Sequence, residues 1–85
     1  MNNSGNVNLT ETFKSKAKYF FSTKTPIHVK FKLSYFKNGI INEVNEDFFI
    51  LEDFVEGRLV IFYSEIERVD EYRKIGVKPD DKWKN

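Results

Sequence analysis

The chain has 85 residues, of which 40% are hydrophobic and 16% aromatic, with no cysteine and a net charge of +1. This composition excludes a disordered chain, and the length predicts one domain that buries only about 60% of its unfolded surface, so self-association would add stability. No apolar run is long enough to span a bilayer and no secretory signal is evident, which predicts a cytoplasmic protein without a membrane partner.

The charges are unevenly distributed along the chain. Residues 1–38 carry seven lysines against one glutamate, a net +6, whereas residues 39–72 carry two arginines against ten carboxylates, a net −8. Residues 73–85 add +3. This separation predicts either a basic surface for a polyanion or contacts between subunits of opposite charge, with an ordinary solvated surface as the alternative.

The first predicted element is a helix over residues 9–21, after a flexible amino terminus at residues 1–7. Asn8 is a suitable helix cap, and Glu11 completes a capping box three residues later. The helix must end before Thr25, because the following proline favours an extended backbone there. Apolar residues recur on one helix face: Leu9, Phe13, Ala17, Phe20 and Phe21.

After Pro26 the hydrophobic period changes from helical to alternating, as expected for a half-buried strand. Further strand-like segments follow as "IINEV", "DFFILEDF", "LVIFY" and "IERVDEY". A sheet of five short strands buries its apolar face best by bending. We therefore predict a mainly β domain over residues 8–72. Its helix precedes a five-stranded, strongly bent antiparallel small barrel over residues 27–72, and residues 73–85 form a tail.

The pair Asn38-Gly39 is compatible with two local structures. Asn-Gly is the preferred sequence of a two-residue type I′ hairpin turn. A glycine inside a strand instead marks a bulge or a bend. The hairpin would suit a different small barrel, such as the carboxy-terminal domain of a ribosome maturation factor.

The residues after this pair resemble the first motif of the Sm, LSm and Hfq family, and "VIFYSEIERV" resembles the second. The positions that fit the first motif without a gap are Gly39, Ile41, Val44, Asn45, Phe48, Phe49 and Ile50. The resemblance implies that Gly39 lies within a long bent second strand and that the first turn falls near Leu33 and Ser34. The barrel would then be of the Sm type.

The resemblance also implies a homo-oligomeric ring of six or seven subunits, closed through the fourth and fifth strands. The side chains expected at this subunit interface are Val60, Phe62 and Ile66. An apolar edge strand of this kind must be covered, and ring closure covers every edge at once.

The positions that bind RNA in the family are occupied here by different residues. Phe49 stands where the base-reading Asn is expected, Asn45 replaces the motif's Asp, and Tyr63 lies in the second-motif segment. A phenyl ring stacks on a base but does not read its edge, so these positions predict weak sequence preference. The candidate RNA contacts are Asn45, Phe48, Phe49 and Tyr63; of the two adjacent phenylalanines, at least one should be core.

Lysines supply the remaining candidate RNA contacts, through phosphate rather than base. The candidate phosphate contacts are Lys14 and Lys18 on the helix and Lys30 on the first strand. The predicted function is an Sm-like RNA-binding ring that acts in RNA metabolism. The alternative is an Sm-fold protein-interaction module that has lost the base-reading site.

Enzymatic chemistry is not expected. The single histidine, His28, has no catalytic partner in the neighbouring sequence, and the acidic pairs at 46–47 and 52–53 are typical of loops and strand ends. We find no nucleophile motif and no phosphate-binding glycine loop. The sequence therefore predicts no catalytic residue, metal site, cofactor or small-molecule substrate.

Overall fold

The computed structural model describes residues 9–73. One helix precedes five antiparallel strands, and a single 3-10 turn joins the last two strands. The elements are α1 Leu9–Thr23, β1 Ile27–Phe31, β2 Phe36–Val44, β3 Phe48–Asp53, β4 Gly57–Phe62, the 3-10 turn Tyr63–Glu65 and β5 Ile66–Glu71. The expected flexible segment at 1–7 and all of the tail except Arg73 lie outside the described residues.

The helix ends two residues later than the expected Phe21, in a Schellman motif. Lys24 adopts a positive φ of 56°, its N–H donates to Phe21 O at 3.2 Å, and Thr25 N–H donates to Phe20 O at 3.0 Å. Pro26 follows at once and cannot continue the helix. Within residues 9–73, no helix is long and apolar enough to cross a membrane.

The expected apolar face of the helix is only partly correct. Phe13 and Ala17 are buried, and Phe20 packs against the core. Leu9 and Phe21, however, are 56% and 40% exposed. Only a narrow stripe of the helix thus contacts the sheet, mainly at β2 and β5.

The five strands form one sheet in the order β4-β3-β2-β1-β5. Every strand contributes to one buried cluster, since alternate side chains point to the inner face. The cluster comprises Phe13, Ala17, Ile27, Val29, Phe31, Ile41, Phe49, Leu51, Ile61, Tyr63, Ile66 and Val69. Register shifts between Ile41 and Glu43 and between Lys30 and Phe31 mark irregularities where the sheet bends around this core. The prediction of a mainly β domain with one helix before five antiparallel strands is confirmed.

Gly39 lies inside β2, opposite Ile27 on one side and Asp53 on the other. A Cβ at this position would collide with the Glu52 carbonyl oxygen and lie 2.8 Å from Asp53 Cα. The Asn38-Gly39 hairpin is therefore wrong, and the glycine serves the close approach of β2 and β3. The first turn lies where the second alternative predicted it, with Ser34 at φ 69° and its N–H donating to Phe31 O at 2.8 Å.

Candidate nucleic-acid interface

Asn45 is a structural residue of the turn between β2 and β3. Its backbone N–H donates to Phe48 O at 2.8 Å, and its side-chain amide donates to a carboxylate oxygen of Glu43 at 3.0 Å. Its own carbonyl oxygen accepts the Tyr63 hydroxyl at 2.9 Å. These bonds fix the turn and occupy the backbone groups of Asn45 and one donor of its side-chain amide.

Two of the proposed aromatic contacts are core residues. Phe49 is fully buried and Tyr63 is 2% exposed, with their ring centroids 5.9 Å apart. Burial, assisted by nearby carboxylates, raises the pKa of the Tyr63 hydroxyl to about 12. The prediction that these two rings contact RNA is wrong, because neither presents a face for a base. Phe48 points the other way and is half-buried, packed edge-on against Phe62.

Three of the seven lysines of the basic half are paired with carboxylates of the acidic half. Lys14 Nζ lies 2.9 Å from a carboxylate oxygen of Glu46, and this contact raises the pKa of the lysine and lowers that of the glutamate. Lys30 Nζ lies 3.7 Å from a Glu67 oxygen. Lys18, by contrast, is exposed and makes no ion pair within residues 9–73.

The charge separation along the sequence thus does not become two separate surfaces. The acidic strand β5 pairs directly with the basic strand β1, so opposite charges from distant segments lie side by side. Lys37 is likewise bound to Glu56 at 2.8 Å. A head-to-tail attraction between a basic and an acidic half is therefore not supported by this arrangement.

The proposed subunit-interface residues divide into two groups. Val60 and Phe62 lie on β4, at one end of the sheet, and are 50% and 44% exposed. Ile66 lies at the start of β5 and is 1% exposed, so its side chain belongs to the core of this subunit and only its backbone is available to a neighbouring strand. Of the three, only the β4 residues offer apolar side chains to another chain.

The outer face of β2, β1 and β5 carries a compact array that the sequence analysis did not select. One cross-strand row is Asn38, His28 and Asp70, and the next is Phe36, Lys30 and Arg68. The His28 ring stacks on the Phe36 ring with centroids 4.7 Å apart, and its Nδ1 lies 2.5 Å from the Asn38 side-chain oxygen. Two hydrogen-bonded or stacked neighbours therefore hold this imidazole in place.

A groove of about 620 Å³ lies over the first of these rows and is lined by His28, Asn38, Arg68, Asp70, Glu71, Tyr72 and Arg73. Tyr72 is packed edge-on against Phe54, with ring centroids 5.4 Å apart. Arg68 Nε lies 2.9 Å from a carboxylate oxygen of Asp70. We call this site the outer groove. Aromatic rings beside arginines are the combination with which proteins stack nucleic-acid bases and contact phosphates.

The sequence indicated only part of the outer groove. His28 alternates with the buried residues of β1, which placed it on the outer face. Its neighbours Phe36 and Arg68 come from strands whose register the sequence did not specify, and Arg68 lies within the most acidic segment of the chain. The array is created by strand pairing rather than by a local motif.

Comparison with known proteins supports the fold. No protein-family model and no curated protein sequence matches this chain. A crystal structure described as that of the pleiotropic translational regulator Hfq superposes with a TM-score of 0.60 at 17% sequence identity. The match covers 68% of this chain and 95% of the Hfq chain. The chain thus has the Sm fold of Hfq, with the same sequence of one helix and five strands, at an identity that speaks for the fold alone.

Proposed function

We propose that this protein is an Sm-like RNA-binding protein that assembles into a ring of six or seven copies and acts in RNA metabolism. The observation that carries the proposal is the outer groove, where the half-buried rings of His28 and Tyr72 lie beside Arg68 and Arg73. Its structural similarity to Hfq, a translational regulator, supports the same class of role. We further propose that it works by binding, in the cytoplasm, without catalysis, metal or cofactor.

Ring assembly is supported by the two ends of the sheet. Within the described residues, β4 and β5 each pair with only one neighbouring strand, so each has a free edge. The β4 edge also presents Val60 and Phe62 to solvent. Exposed edges of this kind recruit another strand unless they are covered, and a closed ring of subunits covers them all.

RNA affinity would come mainly from phosphate contacts. Arg68 and Arg73 line the outer groove, Lys30 lies opposite Arg68 on the neighbouring strand, and Lys18 is exposed on the helix. Contacts of this type neutralise phosphate and release counterions, so they bind with little dependence on sequence. We therefore expect similar affinity for RNAs of different sequence, with a base preference only at positions where a side chain reaches a base edge.

The proposal is tested by titrating single-stranded RNA with the purified protein at about 50 and about 200 mM salt. We expect binding that weakens steeply with salt. No binding at low salt would reject RNA as the ligand and leave the protein-interaction module, whose support is the burial of Phe49 and Tyr63 in the core.

The ring is tested independently by sedimentation. Val60→Lys and Phe62→Lys should each convert the assembly to smaller species, because a charge would be buried at an apolar seam. Leu33→Lys is the matched control, since Leu33 is 82% exposed in the turn between β1 and β2. A wild-type protein that sediments as a stable monomer at micromolar concentration would remove the ring from the proposal.

A further inference from the structure

The Arg68–Asp70 pair is the feature of the outer groove that reaches beyond general RNA binding. Both residues lie on the outer face of β5, two positions apart, and the bond from Arg68 Nε to an Asp70 oxygen holds them together. A carboxylate has two oxygens with about four acceptor sites, and a guanidinium has five donors. The Asp70 carboxylate can therefore still accept hydrogen bonds, and the Arg68 guanidinium beside it can still donate them.

This order of groups is complementary to guanine. Along its Watson–Crick edge, guanine presents the N2 amino group and N1–H as two adjacent donors and then O6 as an acceptor. Ionised Asp70 accepts from both donors, while a guanidinium N–H of Arg68 donates to O6. Adenine, cytosine and uracil each lack two adjacent donors on this edge, so none satisfies a carboxylate in the same way.

The surrounding residues provide a surface for the face of the base. His28 lies directly opposite Asp70 in the β1–β5 register, and side chains so paired have Cβ atoms about 5 Å apart. The imidazole is fixed by Phe36 beneath it and by Asn38 beside it. A base whose edge meets Asp70 therefore lies beside an immobilised ring, and stacking on aromatic side chains is how proteins hold unpaired bases.

We propose that the outer groove is a guanine-selective base site, with Asp70 and Arg68 as the residues that determine selectivity. This inference rests on the proposed RNA-binding function and adds a ligand class to it. Arg73, at the end of the groove, is positioned to meet the phosphate of the bound nucleotide. Each subunit would read one guanine within RNA that is otherwise held by its backbone.

The test compares three single-stranded oligouridine RNAs of equal length that carry one central guanosine, inosine or adenosine. Inosine keeps N1–H and O6 but lacks the N2 amino group, so it removes one hydrogen bond and nothing else. We expect the guanosine RNA to bind at least about tenfold more tightly than the adenosine RNA, with inosine between them. Equal affinity for all three would overturn guanine selectivity while leaving RNA binding intact; binding of none would overturn both.

A substitution assigns the selectivity to its residue. Asp70→Asn preserves the shape of the side chain but replaces one acceptor with a donor, so the preference for guanosine over adenosine should fall below about twofold. The preference is the ratio of the two affinities, so a general change in RNA affinity from the lost negative charge cancels. Asp47→Asn is the control, because Asp47 is an exposed carboxylate in the turn between β2 and β3. An unchanged guanosine preference in Asp70→Asn would overturn the role of this carboxylate.

Discussion

The turn between β2 and β3 and the outer groove use similar side chains in opposite ways. At the turn, the rings of Phe49 and Tyr63 are buried and the charge of Lys14 is taken up by Glu46. In the groove, His28 lines an open surface, and its ring stacks on that of Phe36 outside the lining. The first region stabilises the domain, whereas the second has the accessible chemistry.

The difference shows that residue type alone does not identify a binding surface in this fold. A phenylalanine one position earlier or later along β3 changes from core to surface, because successive side chains point to opposite faces. A lysine changes from a phosphate contact to an ion-pair partner when an acidic strand lies beside it. Strand register therefore decides which rings and charges remain available to a ligand.

The largest expected effect is at Gly39, on the strand that connects the two regions. Gly39→Ala and Gly39→Asn should each destabilise the fold by about 3 kcal/mol, because any Cβ there meets the backbone of β3. Gly57→Asn is the matched control: Gly57 has a φ of 81°, a Cβ there would lie at an ordinary contact distance of 3.7 Å from a Glu52 carboxylate oxygen, and Asn tolerates positive φ at a cost below about 1 kcal/mol. Thermal melting distinguishes them. If Gly39→Asn melts with the wild type, the register of β2 on β3 is wrong.

Asp53 accepts hydrogen bonds from backbone groups beside the outer groove, and its contribution to stability depends on pH. Burial alone would raise the pKa of this carboxyl, but N–H donors of Glu56, Val55 and Asn38 outweigh burial and the pKa is lowered. These bonds hold the turn that carries Phe54 against Tyr72. A lowered folded-state pKa stabilises the protein above the unfolded-state value of about 3.9, and this contribution is lost as pH falls through the folded-state pKa.

Asp53→Asn should therefore cost about 2 kcal/mol at pH 7, since it weakens hydrogen bonds to a buried charge. Denaturant unfolding at pH 7 and near pH 3 measures the change, and the difference between wild type and variant should shrink at the lower pH. Asp47→Asn, at an exposed site, is the control. A pH-independent difference would show that the charge of Asp53 is not what holds the turn.

The two regions are compared directly by neutralising two charges in each. Arg68→Gln with Arg73→Gln should weaken RNA binding about tenfold and lower the slope of log affinity against log salt by about 1.4, the value for two phosphates. Lys14→Gln with Lys18→Gln should have less effect, because neither lysine lines the outer groove. RNA titration at several salt concentrations provides both quantities. A larger effect from the lysine pair would move the binding surface to the helix.

Much of the fold could be predicted from the sequence because its signals are local. The alternation after Pro26 and the end of the helix before Thr25 each arise from a few consecutive residues. Gly39 had two local solutions, and the resemblance to the Sm motif selected the one that the structure confirms. The sequence therefore predicted the elements and their order with boundaries within two residues for the helix.

The candidate site was harder to predict because it depends on residues distant in sequence. His28 gains its neighbours Asn38 and Asp70 only when β1 pairs with β2 and β5. The burial of Tyr63 likewise depends on its hydroxyl reaching Asn45, 18 positions earlier. Motif matching placed these residues by their family positions, whereas their exposure follows from the packing of this particular chain.

The smallest expected effect concerns Tyr63, whose hydroxyl donates to the Asn45 carbonyl at 2.9 Å. Tyr63→Phe should cost about 1 kcal/mol, or about 4–8 °C in melting temperature for a domain of this size, and should leave RNA affinity unchanged. Because burial raises the pKa of this hydroxyl to about 12, its stabilising contribution persists below the ordinary value near 10 and is lost as pH rises towards 12. The variant should therefore lose less stability than the wild type in this alkaline range. Tyr19→Phe is the control, because Tyr19 is 62% exposed on the helix. If Tyr63→Phe melts normally but binds RNA less well, the turn belongs to the binding surface after all, and the division between a stabilising region and a ligand-binding region fails at that residue.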